Sequence, residues 1–95
     1  MGPTCEVLLT IDDAPTLDAI DAVLASLADR IDRTRKGRVW DIWIRGRPVH
    51  VQIDNSQPVL TLSAGCNTHE DFMILRELSA GIVHAVGGIY SEPEK

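Results

Sequence analysis

The sequence predicts an α+β fold: a two-layer sandwich in which two helices cover one face of a four-stranded mixed sheet. Apolar residues recur at spacings of three and four in two long stretches. Between those stretches they alternate with polar residues, and turn-forming residues divide the alternating block into three runs. The 95 residues suffice for one domain with one core, spanning residues 1–95 with loose ends at 1–4 and 91–95.

The first strand falls at about residues 5–11, where "CEVLLTI" is rich in β-formers and "DDAPT" stops it. Leu17, Ile20, Leu24, Leu27 and Ile31 then mark an amphipathic helix over roughly residues 15–33, with Asp18, Asp21, Asp29 and Asp32 off the stripe. Asp13 or Thr16 can cap its start, and Pro15 suits its first turn. Arg30, Arg33, Arg35 and Lys36 complement the dipole at its end.

Three antiparallel strands follow near residues 38–45, 48–54 and 58–64. Trp40, Ile42 and Ile44, then Val49, Val51 and Ile53, then Leu60, Leu62 and Ala64 supply their inward faces. Gly46-Arg47 reads as a two-residue type II′ loop, which sets Trp43 opposite His50, Ile44 opposite Val49 and Ile42 opposite Val51. Asn55-Ser56 closes the next hairpin, and Pro58 is tolerated at a strand start.

The last element is a helix that starts at "NTHEDF". Asn67 with Glu70, or Thr68 with Asp71, matches a capping box. Its core stripe is Phe72, Leu75, Ser79, Ile82, Val86 and Ile89, and Gly87-Gly88 ends the helix or leaves it fraying. The order is therefore β-α-β-β-β-α. A right-handed crossover makes the first two strands parallel, and the expected sheet order is 1-2-3-4.

Composition narrows the function classes. The apolar share of 44% and charged share of 24% are those of a globular domain. No apolar run reaches the ~18 residues of a membrane span, and "MGPTCEVLL" lacks the pattern of a secretory leader, so a cytoplasmic location is expected. Two cysteines, Cys5 and Cys66, fit a reducing compartment. A net charge of −5 opposes general affinity for nucleic acid or anionic lipid.

The densest chemistry lies in "GCNTHEDF", residues 65–72. In the expected topology the first and fourth strands end at one edge, which brings Cys66, His69, Glu70 and Asp71 near Asp12 and Asp13, with Arg45 and Arg47 beside them. A thiol at a helix N-terminus can be activated, so Cys66, His69 and Asp13 are the candidates for a small thiol- or metal-dependent enzyme. Capping explains the same residues without catalysis. Structural zinc needs four ligands, and Cys5, at the opposite strand end in this layout, is out of reach; no metal or cofactor is expected. G-x-S-x-G elbows and Walker or Rossmann phosphate loops do not occur, and no histidine is placed within reach of Ser63 or Ser79. The reading leans away from an enzyme.

Seven of the nine cations lie between Arg30 and Arg47. The core order α-β-β-β-α resembles double-stranded-RNA-binding domains in topology. Those domains hold phosphates with a lysine-rich start to their second helix, where this chain has "NTHEDF". RNA binding through residues 30–38 is the third class considered.

Two surfaces ask for a partner. The sheet face away from the helices carries Trp43 among Asp41, His50, Gln52 and Arg45, the composition of a binding hot spot. The second helix stays apolar beyond its stripe, and Met73, Ala80, Gly81 and His84 offer a homodimer contact where the first helix does not cover them. The favoured expectation is an acidic interaction module, of inhibitor or immunity type, that meets a basic protein partner.

Overall fold

A computed structural model describes residues 2–9, 14–33, 39–54, 58–66 and 68–91. Its elements are β1 (Thr4–Leu8), α1 (Ala14–Leu27), β2 (Arg30–Arg33), β3 (Val39–Ile44), β4 (Arg47–Ile53), β5 (Val59–Ala64), α2 (His69–Val86) and β6 (Ile89–Tyr90). All six strands join one antiparallel sheet in the order β2-β3-β4-β5-β1-β6. The α+β class holds; the four-stranded mixed sheet and the 1-2-3-4 order do not.

One short segment accounts for the change. Residues 30–33, expected as the end of the first helix, form edge strand β2. Ile31 suits either element, four residues after Leu27 on a helix or facing Ile42 across a ladder. Asp29 ends the helical run: its N–H donates to the Trp43 carbonyl (2.8 Å), and its Oδ2 accepts the Arg45 N–H (2.7 Å). The extra strand reverses the direction of every later strand relative to β1. The crossover from β1 through α1 still joins strands of one direction, but β3, β4 and β5 stand between them. β5 then runs antiparallel to β1 and pairs with it, Thr4 opposite Ser63 and Leu8 opposite Val59.

The β3–β4 turn is Arg45-Gly46, with positive φ at both residues (53° and 79°), as a type I′ turn requires. Ile44 pairs with Arg47, Trp43 with Pro48 and Asp41 with His50, two residues from the expected register. An even slip keeps every side chain on its expected face. The Asn55-Ser56 turn, the Asn67 cap and the cations Arg35 and Lys36 fall outside the described residues.

The core lies between the sheet and the two helices. Ile42, Val51, Leu60 and Leu62 meet Ile20 and Leu24 of α1 and Ile74, Leu75, Leu78 and Ile82 of α2, all fully buried. Trp40 is the largest of the core side chains, and its Nε1–H donates to Asp21 Oδ1 (3.0 Å), which ties β3 to α1. The buried face of α2 centres on Ile74, Leu75, Leu78 and Ser79, so Phe72 is only half-buried. No helix among the described residues is long and apolar enough to cross a membrane.

Ile89 belongs to β6, not to the helical stripe; the chain leaves α2 at Gly87 (φ 82°) and turns at Gly88 (φ 117°) to pair beside β1. A Cβ at Gly88 would stand 2.3 Å from the Leu8 carbonyl oxygen. Gly88→Ala should therefore detach β6 and cost about 1–3 kcal/mol in urea unfolding. A loss below ~0.5 kcal/mol, with the amides of Ile89 and Tyr90 still protected from exchange, would contradict this.

Candidate functional site

Antiparallel pairing aligns the outward residues of the sheet in rows. Asp32, Asp41, His50 and Ser63 form one row across β2, β3, β4 and β5. Arg30, Trp43 and Pro48 form the next. The two rows border an open groove of about 380 Å³, lined by Asp32, Asp41, Trp43, Pro48, His50 and Ser63. The helices lie on the opposite face, so this groove opens on the side of the sheet they leave uncovered.

Within the groove the polar groups hold one another. His50 Nδ1 and Asp41 Oδ1 lie 2.8 Å apart, and His50 Nε2 lies 3.4 Å from Gln52 Oε1. With a proton on Nδ1 the ring donates to Asp41, which fixes its plane. The Arg30 guanidinium sits over the Trp43 ring, 4.6 Å from its centroid, and reaches Asp32 Oδ2 at 3.3 Å.

The expected binding residues divide. Asp41, Trp43 and His50 line the groove, and Gln52 adjoins it through His50. Arg45 does not join them. The left-handed turn carries it to the start of α2, where it pairs with Glu70 (2.5 Å) and Glu77 (3.6 Å). The hydrogen bond to Glu70 raises the Arg45 guanidinium pKa above its ordinary value; desolvation opposes this, and the charges of Glu70 and Glu77 add to the rise.

The edge cluster expected around residues 65–71 also divides. The antiparallel β1–β5 pair sends β1 to the sheet edge opposite the 65–71 segment, with Leu9 N–H on the Pro58 carbonyl and Ala64 N–H on the Pro3 carbonyl. Asp12 and Asp13 lie outside the described residues. Cys5, expected far from Cys66, instead enters at the same edge, where it is buried 3.2 Å from the Ser79 hydroxyl. Cys66 and His69 are exposed, and both cysteines are free thiols. Thr68 and Asp71 form the capping box: Asp71 N–H donates to the Thr68 hydroxyl, and Thr68 N–H donates to Asp71 Oδ2. Arg47 also reaches Asp71 Oδ2 (3.1 Å) and the Thr68 hydroxyl (3.2 Å). Among the described residues, no group of three or more His, Cys, Asp or Glu side chains is arranged to hold a metal ion.

Two features escaped the sequence reading. Ser63 faces His50 across β4 and β5, so a hydroxyl, an imidazole and a carboxylate stand in line. His50 Nε2 lies 3.4 Å from Gln52 Oε1, on its own strand. An apolar hollow of about 480 Å³ lies at the β5–β1–β6 end, where Leu8 is 53% exposed and Ile89 72% exposed beside Val59. Only a placement of Ile89 in a strand could have disclosed it. On α2, Met73, Ala80 and His84 are exposed. Gly81 is not part of that surface: a Cβ there would lie 3.3 Å from Val23 of α1.

No family model, curated protein or solved structure matches the chain. The functional reading therefore rests on the geometry of the groove and the charge around it.

Proposed function

We propose that the chain is a non-catalytic protein-interaction module that receives a basic protein partner on its open sheet face. The observation that carries the reading is the groove itself. A half-buried tryptophan lies beside a histidine–carboxylate pair, on a face the fold leaves uncovered. Tryptophan at the centre of a polar rim is the usual anchor of a protein interface.

Charge supports a cationic partner. This face carries the carboxylates Glu6, Asp32 and Asp41 beside Arg30. The chain as a whole carries −5. Such a field speeds encounter with a basic surface and weakens with salt over a Debye length of about 10 Å at 0.1 M. An inhibitor or immunity-type role, in which the acidic face covers a basic active surface, fits this arrangement.

Trp43→Ala should cost about 1 kcal/mol of stability or less, because the ring is only partly buried on a solvated face. It should cost more than tenfold in retention of the partner. Immobilised wild type, Trp43→Ala and Met73→Ala, compared on extracts of the source cells, check this. A basic protein held by wild type and Met73→Ala but lost by Trp43→Ala is expected; equal retention by Trp43→Ala would remove the anchor role.

A further inference from the structure

We infer that the Trp43 ring, flanked by Asp32 and Asp41, is a subsite for an arginine side chain of the partner, and that Arg30 occupies it in the free protein. This rests on the open-face reading above and adds the chemistry of the contact and a self-occupied state.

Two observations carry it. Arg30 places its guanidinium 4.6 Å from the centroid of Trp43 while pairing with Asp32, so the planar cation has an aromatic floor and a carboxylate beside it. That is the environment a guanidinium from another chain would seek. Arg30 itself remains 68% exposed and Asp32 54%, so the contact is an outer layer that a competitor can lift without disturbing the core.

The second observation is the facing pair Asp32 and Asp41 on β2 and β3. Like charges directly opposite across a ladder destabilise a sheet, and a cation at either position would serve the fold better. Arg30 compensates Asp32, and His50 Nδ1 lies in hydrogen-bond contact with Asp41. A guanidinium entering from solvent meets both carboxylates at the mouth of the groove. An anionic partner would meet them too, and be repelled.

A site that its own side chain fills shows an apparent affinity reduced by the fraction of time it is filled. Arg30 therefore works as an internal competitor, which raises the threshold for weak cationic contacts and leaves a well-matched partner able to displace it.

The test uses purified full-length wild type, Arg30→Ala and Trp43→Ala, titrated with a blocked Gly-Arg-Gly peptide and its citrulline counterpart. The backbone amide signals of Asp32, Asp41 and His50, which border the ring and are present in all three proteins, are followed by NMR. Arg30→Ala should bind the arginine peptide about five- to tenfold more tightly than wild type. It should bind the neutral citrulline peptide no better than wild type does, and Trp43→Ala should lose the arginine response. Equal or weaker binding by Arg30→Ala, or equal response to arginine and citrulline, would overturn the subsite. If that occurs while Trp43→Ala still loses the captured partner, the open-face reading stands without it. If Trp43→Ala keeps the partner, that reading falls on its own evidence. Thermal melting of the three proteins keeps a folding defect from imitating either result.

Discussion

Trp40→Ala should remove about a third or more of the domain's folding stability. Trp40 is 1% exposed on the helix-facing side of β3, and truncating a buried tryptophan costs about 3–5 kcal/mol. A single-domain chain of this size holds only about 5–10 kcal/mol in total. The loss is more than packing, because the indole N–H also secures Asp21 and hence the face of α1 to β3. Trp40→Phe keeps most of the contact area and should lose roughly 1–2 kcal/mol, most of it from the hydrogen bond. Urea unfolding followed by far-ultraviolet circular dichroism separates the two. A shift under 1 kcal/mol for Trp40→Ala would mean that Trp40 does not hold β3 to α1 as its burial and hydrogen bond imply.

Asp71→Ala should be the next most damaging change, at about 2–4 kcal/mol. Asp71 is completely buried, and its Oδ2 accepts from Thr68 N–H, from the Thr68 hydroxyl and from Arg47. Alanine removes the Asp71 half of the capping box, leaving the Thr68 N–H without its acceptor, and leaves the partly buried Arg47 cation facing a void. Oδ1 of Asp71 has no hydrogen-bond partner among the described residues, so the carboxylate holds the structure through one oxygen. Asp71→Asn keeps an acceptor there and loses the charge, and it should cost about half as much. Thr68→Ala removes one side of the capping box for about 1 kcal/mol. A double-mutant cycle between Thr68 and Asp71 should return a coupling of roughly 0.5–2 kcal/mol; independent effects would show that the box does not act as a unit. These costs explain why the "NTHED" segment is so polar. Its acids anchor α2 and the β3–β4 turn, Asp71 through Arg47 and Glu70 through Arg45.

Much of the fold was legible because burial imposes a period. The alternation in residues 39–64 read as three strands, and each kept its predicted face. The spacing of Leu17, Ile20 and Leu24 read as a helix for the same reason. What could not be read was where a period changes without a break. Ile31 continues the helical stripe of Leu24 and Leu27 and also alternates with Arg30 and Asp32, and nothing local chooses between them. The choice is tertiary: β3 offers an open edge, and Asp29 locks the helix end onto it.

That one segment decided more than its length suggests. With β2 absent, β1 and β5 would end at the same edge, and Cys66 and His69 would stand near Asp13. With β2 present, strand direction inverts, and the approach to α1 starts at the far edge. The hairpin turn erred for a different reason. Gly46 can serve first in a type II′ turn or second in a type I′ turn, and the structure takes the latter although Arg45 must then adopt positive φ. The slip of two residues moved His50 from Trp43 to Asp41. The members of the groove were thus predictable from alternation, and their pairing was not. Arg30 was assigned to a helix end, so neither its strand nor its place over Trp43 was foreseen.

The central claim is that partners meet the open sheet face and not the helices. Site-specific photo-crosslinking tests it most directly. A benzoylphenylalanine is placed at Gln52 on the open face or at Met73 on α2, and each protein is irradiated in extracts of the source cells. Both positions are exposed, so neither replacement threatens the core. The account predicts a crosslink to a basic protein from position 52 and none from position 73. A crosslink from position 73 alone, whether to another protein or to a second copy of the chain, would contradict it.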